Sequence, residues 1–356
     1  MKAYYLVFFL TLMFSLFIEA KTDKQWRWKL FWTFLPLFVY AAIRVDYGND
    51  YGTYENYFDI FHNSASYDIY SHSEIGFQLL NRIMPSYRSI LVLSAFLLCL
   101  SLSFFCYHII PRNYLWLAVI LIFLNPEKNV FGPLVGIRNG LVISSFLLCI
   151  KLIQTRKWIP YLVITVALSY IHTSALFFMP VAFVIGYSTP FKKREIWFWI
   201  GLIISLLVFS MTQLAHYLGI LINNETFNRY ESIVESELHR GILITIVSLV
   251  NIVLFIIYFI KRGDSLVSKD NTLLRIGILY SVMFFFGSLS TRSSYYLDLF
   301  YIGSVIMIFA DKKMAGFYRY AILALAIVTS FYSMFIVWMG APSWNHSIYH
   351  SLLGSW

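Results

Sequence analysis

The segment Arg44-Val45-Asp46-Tyr47-Gly48-Asn49-Asp50-Tyr51-Gly52-Thr53-Tyr54 crowds charge, aromatic rings and glycine into one short run. Asp50 offers a carboxylate that can take a proton or bind a hydroxyl, and Arg44 can pair with an anion. The rings of Tyr51 and Tyr54 can stack on a sugar, and glycine lets backbone approach a ligand closely. The same residues would also suit an anchor at headgroup level. Glu74, in Ser73-Glu74-Ile75-Gly76-Phe77, stands beside apolar surface. There it reads either as an acid or base with a raised pKa or as a helix-start acid facing the macrodipole.

Arg138 follows Val130-Phe131-Gly132-Pro133 inside an apolar run. A charge within hydrocarbon costs several kcal/mol, so such a residue normally faces a polar cavity or a partner. The glycines at 132, 136 and 140, with Pro133, permit a broken or closely packed helix there. His172 falls where two short apolar runs meet, as a base or as a structural hydrogen bonder. Arg229-Tyr230 and Arg292 sit in polar connections, and each alone would also suit an interfacial charge.

The elements that must position these residues follow from composition. Of 356 residues, 59% are hydrophobic and 13% charged, with a mean hydropathy of +0.69. Most of the chain therefore needs lipid as its solvent, which excludes an ordinary globular enzyme. Apolar runs suited to spanning helices lie at about 4–20, 28–43, 89–110, 114–125, 130–150, 158–171, 173–187, 196–220, 242–260, 272–290, 295–310 and 318–338. The stretch 158–187 would run about 45 Å as one helix. Yet both its flanks, Arg156-Lys157 and Lys192-Lys193-Arg194, are basic. Two short helices meeting near His172 reconcile these facts.

Lys2, the apolar run to Ile18 and Ile18-Glu19-Ala20 have the outline of a signal peptide. The cluster Lys21, Lys24, Arg27 and Lys29 after the run argues instead for a first span entering from outside. With that orientation, most of the 27 Lys and Arg residues fall in inside loops. The outer loops collect Asp46, Asp50, Glu55, Asp59, Asp68, Glu74, Glu127, Glu225, Glu231, Glu235 and Glu237. The net charge of +9 is thus a topology signal, and a nucleic-acid partner is not expected. The expectation is an all-α polytopic membrane protein of about twelve spans, a single integral domain over 1–356. Its larger outer loops are 44–88 and 223–240, the second holding an amphipathic helix.

Arg44, Arg138, His172, Arg229 and Arg292 all reach the outer half of the membrane in this topology. Several arginines at one face suggest an anion, and guanidinium forks suit phosphate oxygens. A lipid diphosphate is the natural candidate at that depth. No glycine-rich phosphate loop, HExxH helix or nucleophile elbow is present. Cys99, Cys106 and Cys149 read as packing residues. His346 and His350, beside Trp344 and Tyr349, fit an interfacial segment at least as well as a metal site.

These residues resemble a family, the bacterial EpsG-type, Wzy-like polymerases of exopolysaccharide, capsule and O-antigen. The resemblance lies in RVDYGNDYGTY at 44–54, SEIGF at 73–77, GIRNG at 136–140, SYIHTSAL at 169–176 and NRY at 228–230. It covers most of the chain up to residue 230, and the remainder matches as apolar spans. Asn139 departs from the glutamine expected after the arginine. The resemblance implies a glycosyltransferase-C-like membrane fold in the bacterial cytoplasmic (inner) membrane. It also implies joining of undecaprenyl-diphosphate-linked oligosaccharide repeat units at the outer face, without nucleotide sugar and with no obligatory metal and no cofactor expected. A flippase and a chain-length regulator would be its working partners.

For that chemistry, Arg138 and Arg292 would meet the leaving diphosphate, assisted by Arg44 or Arg229, with Tyr51, Tyr54 and Tyr230 along the substrate. Asp50, Glu74 and His172 are candidate bases, His172 being favoured. A lipid-linked oligosaccharide flippase or exporter, an O-antigen ligase and an acyltransferase would share the outward arginines.

Overall fold

Apolar runs bounded by capping residues fold as helices in this computed structural model, which describes residues 2–63, 74–186, 242–262, 266, 268–285, 291–340, 350–352 and 354–355. The predicted segment 196–220, the loop 223–240 and His346 lie outside the described residues. The chain divides into two compact units, Met1–Tyr187 with Ala326–Trp356, and Ser188–Leu325.

In the first unit, α1 (Lys2–Phe17) precedes α2 (Asp23–Ala42). Thr22 starts α2 with a capping box. Its hydroxyl accepts from the Gln25 amide at 3.2 Å, and the Gln25 side chain accepts from the Thr22 amide at 3.0 Å. Arg112 donates to the Lys21 carbonyl at 3.0 Å and pairs with Asp23. Two connections read from charge as inside loops therefore meet at one end of the helices.

At the other end, β1 (Arg44–Val45) pairs antiparallel with β2 (His350–Ser351), which pairs with β3 (Gly354–Ser355). This small three-stranded sheet was not expected from sequence. The Leu352 amide also donates to the Ile43 carbonyl at 3.1 Å. After β1 the chain turns through Asp46 at φ 43° and Gly48 at φ 92°. Gly48 is required twice over, since a Cβ there would also run into Val135.

The loop 44–88 carries α3 (Tyr51–Asn63) and α4 (Ile75–Ile83) before α5 (Tyr87–Ile109). Among the described residues, α5 is the helix long and apolar enough to cross a bilayer alone. Next come α6 (Leu115–Leu124), a π turn (Glu127–Phe131), α7 (Gly132–Val135) and α8 (Ile137–Leu148). The run 130–150, read from sequence as one span, is in fact broken. Pro126 follows α6, Pro133 lacks an amide hydrogen, and Gly136 leaves the helical region at φ −82°, ψ 72°. The Arg112–Leu124 and Glu127–Val135 stretches are bent by 88° to each other.

Beyond α9 (Ile150–Gln154), α10 (Trp158–Ser169) and α11 (Ala175–Gly186) fold back on each other. The Tyr161 hydroxyl donates to the Met179 carbonyl at 2.7 Å. The two short helices expected around His172 are thus present, with their turn at 170–174.

The second unit contains α12 (Ile242–Arg262), α13 (Ser268–Phe285), α14 (Thr291–Ala310) and the start of α15 (Gly316–Gly340). Between apolar helices in lipid, close packing and hydrogen bonds replace the hydrophobic effect as the source of association. Gly277 of α13 is the example: a Cβ there would come within 2.5 Å of the Ser304 hydroxyl of α14. That hydroxyl donates back to the Leu273 carbonyl at 2.9 Å. Arg262 and Tyr258 both donate to Asp311 Oδ2, at 2.9 and 3.1 Å.

Candidate functional site

The site is assembled at the loop 44–88 of the first unit. Tyr54 and Phe58 of α3, Phe77 of α4, Tyr87, Ile90 and Leu91 of α5, and Ile137 and Leu141 of α8 form one buried cluster, with Ile171 packed against it. These side chains lock the two loop helices onto α5 and α8. The turn between α10 and α11 is docked by backbone: the Gly76 amide donates to the Tyr170 carbonyl at 2.8 Å. A Cβ on Gly76 would lie 2.6 Å from that oxygen, so glycine is what allows the approach. Gly140 does the same on α8, where a Cβ would collide with the Pro133 carbonyl.

Three predicted residues from motifs far apart in sequence meet here. Arg138 Nη1 donates to Glu74 Oε2 at 2.6 Å. His172 Nδ1 lies 2.9 Å from Glu74 Oε1, and the Thr173 amide donates to the same oxygen at 3.2 Å. The side chains are partly accessible, 16% for Glu74, 18% for Arg138 and 29% for His172, so the cluster is held by protein yet open to a ligand. The Arg138 guanidinium lies 5.9 Å from the ring centres of both Tyr54 and Phe77.

Burial alone would raise the Glu74 carboxyl. The hydrogen bond from His172, Glu74's own amide, the Arg138 charge and the Thr173 amide outweigh it and hold the carboxyl at about 2. Glu74 is therefore an ionised acceptor at neutral pH and a weak base. An ionised carboxylate only accepts, so His172 Nδ1 carries the proton between them, and Nε2 is the ring nitrogen that does not face Glu74. The raised pKa that sequence offered for Glu74 is replaced by a lowered one, because its neighbours are a cation and N–H donors.

A family model described as the EpsG family matches residues 27–351. The chain belongs to the EpsG family. The match extends the resemblance past residue 230 to nearly the whole chain. No curated protein matches the chain, and no solved structure does. EpsG membership and the apolar helices together make it a membrane protein of polysaccharide biosynthesis.

The other predicted residues of this EpsG-family chain are placed differently. Arg44 is 1% exposed, and its guanidinium donates to the Ala41 carbonyl at 2.5 Å, the Leu134 carbonyl at 3.0 Å and the Ser94 hydroxyl at 3.3 Å. In the structure it ties α2, α5 and α7 together behind the loop. Tyr54 is buried as the wall of Arg138, and Tyr51 is half-buried, its carbonyl accepting from the Tyr87 hydroxyl at 3.2 Å. Asp50 is exposed at the start of α3, where its carbonyl accepts from the Tyr54 amide at 3.0 Å. Arg292 stands in the first turn of α14, in the second unit. Arg229 and Tyr230 lie outside the described residues.

Sequence reasoning passed over Phe77 and the Thr173 amide, although both sit inside the motifs that carried the resemblance. It also passed over Arg275 of α13 and Asp298 of α14, 3% and 1% exposed. Their signal was available, since ionisable residues inside apolar runs are functional candidates by default.

Proposed function

We propose that this protein is a polymerase that joins undecaprenyl-diphosphate-linked oligosaccharide repeat units by glycosyl transfer at the outer face of the cytoplasmic membrane. The observation that carries this reading is the Glu74 carboxylate, bound on one oxygen by Arg138 and on the other by His172, within a chain of the EpsG family.

In this reading His172 Nε2 takes the proton of an acceptor sugar hydroxyl. The freed oxygen attacks the anomeric carbon of the donor, whose bond to the phosphate oxygen breaks. Undecaprenyl diphosphate leaves with the electron pair, and the proton stays on His172. Glu74 holds the ring by Nδ1 and stabilises the imidazolium that forms, while Arg138 keeps Glu74 ionised. Arg292, Arg229 and Tyr230 enter on sequence grounds, as contacts for the diphosphate and its sugar. Asp50 and Tyr51, at the rim of the loop, are assigned to the oligosaccharide. The expected partners remain the lipid-linked substrate, a flippase and a chain-length regulator.

The test is incubation of purified protein in lipid with synthetic undecaprenyl-diphosphate repeat units and no nucleotide sugar, followed by sizing of the products. A ladder in wild type that disappears in His172→Ala supports the reading. Transfer of the lipid across a vesicle wall without any ladder would replace it with a flippase.

A further inference from the structure

The two helices of the loop 44–88 dispose their polar and apolar residues in opposite ways. On α3, Tyr54, Phe58 and Phe61 are buried while Glu55, Asn56 and Asp59 are exposed, with Ile60 the aliphatic exception. This is the pattern of a helix that faces water. On α4, Ile75, Leu79 and Ile83 are 47%, 43% and 70% exposed, whereas the amides of Gln78 and Asn81 are buried together with Phe77. Residues at i, i+4 and i+8 share one helix face, so the three aliphatic side chains form a stripe about 12 Å long. The inward side is tied to protein: Asn81 Nδ2 donates to the Phe77 carbonyl at 2.7 Å, and the Asn81 carbonyl lies 3.1 Å from Nδ1 of His62 on α3. A helix that turns amides inward and aliphatic side chains outward is built for apolar surroundings.

The stripe continues beyond α4. The Gly76 amide donates to the Tyr170 carbonyl at 2.8 Å. Tyr170, 57% exposed, closes an exposed row on α10 that holds Ile159, Val163 and Val166. That row keeps the helical period, and α10 carries no charged residue. We propose that α4 is seated in the bilayer surface with Ile75, Leu79 and Ile83 against lipid acyl chains, in continuation of the exposed row of α10, while α3 faces water. Helices of this kind lie roughly 5–10 Å into the boundary between headgroups and acyl chains. Three side chains offer too little surface for a stable contact with another protein, which takes roughly 800 Å² a side, whereas lipid sets no such minimum. Glu74 immediately precedes the stripe, so its cluster with Arg138 and His172 stands at the depth of lipid headgroups. A lipid-borne ligand then reaches that cluster sideways from the membrane, without first passing into water.

The experiment places single spin-labelled cysteines, Ile75→Cys, Leu79→Cys and Ile83→Cys on α4 and Asn56→Cys and Asp59→Cys on α3, in full-length protein in phosphatidylcholine vesicles. Native Cys99, Cys106 and Cys149 are buried and stay unlabelled. Collision of each label with oxygen, which partitions into lipid, is compared with collision with a water-soluble nickel chelate. The ratio of oxygen to chelate should be several-fold higher at the α4 positions than at the α3 positions. Three independent α4 sites keep the comparison open should one variant fold poorly. Labels on α4 that meet the chelate as freely as those on α3 would put the stripe in water and overturn the proposal. Labels shielded from both reagents would show the stripe covered by protein, from this chain or a second copy, and would overturn it equally.

Discussion

Glu74 Oε1 lies 2.9 Å from Nδ1 of His172, 98 residues further along the chain. The contact fixes which ring nitrogen carries the proton, and so which one can accept another. Replacing His172 with Ala removes the proposed base and should lower the rate of ladder formation by roughly 10²- to 10⁴-fold. Glu74→Gln keeps the shape but loses the charge that holds the tautomer, and should fall nearly as far. A Glu74→Gln enzyme with near-normal rate would remove the carboxylate from the mechanism.

Acid should loosen the same contact. The folded Glu74 carboxyl sits at about 2, below its ordinary 4.5. Its ionised form therefore stabilises the fold fully above about pH 4.5, and that contribution disappears as the pH falls towards 2. Melting of wild type and Glu74→Gln in detergent, compared from pH 7 to pH 3, should show a gap that narrows as the pH falls below 4.5. A gap that widened on acidification would contradict the assignment.

Two glycines and a third as control test the docking of the site. Gly76→Ala would place a Cβ 2.6 Å from the Tyr170 carbonyl, and Gly140→Ala would drive one into the Pro133 carbonyl. Both obstacles are backbone, so each variant should lose about 1–3 kcal/mol, Gly140→Ala the more. Gly52, on α3, has nothing within 4 Å of the same position. Gly52→Ala should be neutral or more stable by about 0.5 kcal/mol. Thermal melts of the three variants check the order.

The strand β2 should be found against the start of the loop 44–88. Val45 pairs with His350 across β1 and β2, at the short Cα separation of antiparallel strands, which lies within disulfide reach. A Val45→Cys/His350→Cys double variant should cross-link on mild oxidation, closing a loop seen as a gel shift after cleavage between the two positions. Native Cys99, Cys106 and Cys149 are buried and should not compete. Failure to cross-link would separate the C-terminus from the loop.

Arg44 was read as an anion contact, and its burial predicts a different phenotype. Three hydrogen bonds to Ala41, Leu134 and Ser94 would be lost in Arg44→Ala. The vacated acceptors should cost about 3 kcal/mol. Stability measured by melting should drop with activity, whereas a pure substrate contact would change activity alone.

By itself the sequence determined the helical, lipid-facing character of the chain, because apolar runs and their basic flanks are local properties that need no partner. It also marked Arg138 and His172 by their conflict with those runs, Glu74 by its place just before one, and the split of 158–187 by the charges at its ends. What it left open was direction. Whether Glu74 has a raised or lowered pKa depends on which groups face it, and those come from residues 64 and 98 positions away. Only the tertiary structure supplied the cation and the N–H donors that hold it ionised. Only the tertiary structure, likewise, turned Arg44 inward and Tyr54 into a wall, since an arginine beside a glycine-rich loop has the same sequence whether its guanidinium meets a ligand or the carbonyls of its own fold. The break before Arg138 shows the two levels meeting: Gly132, Pro133 and Gly136 permitted it, and only the folded backbone places the break at Gly136 and packs Gly140 against Pro133.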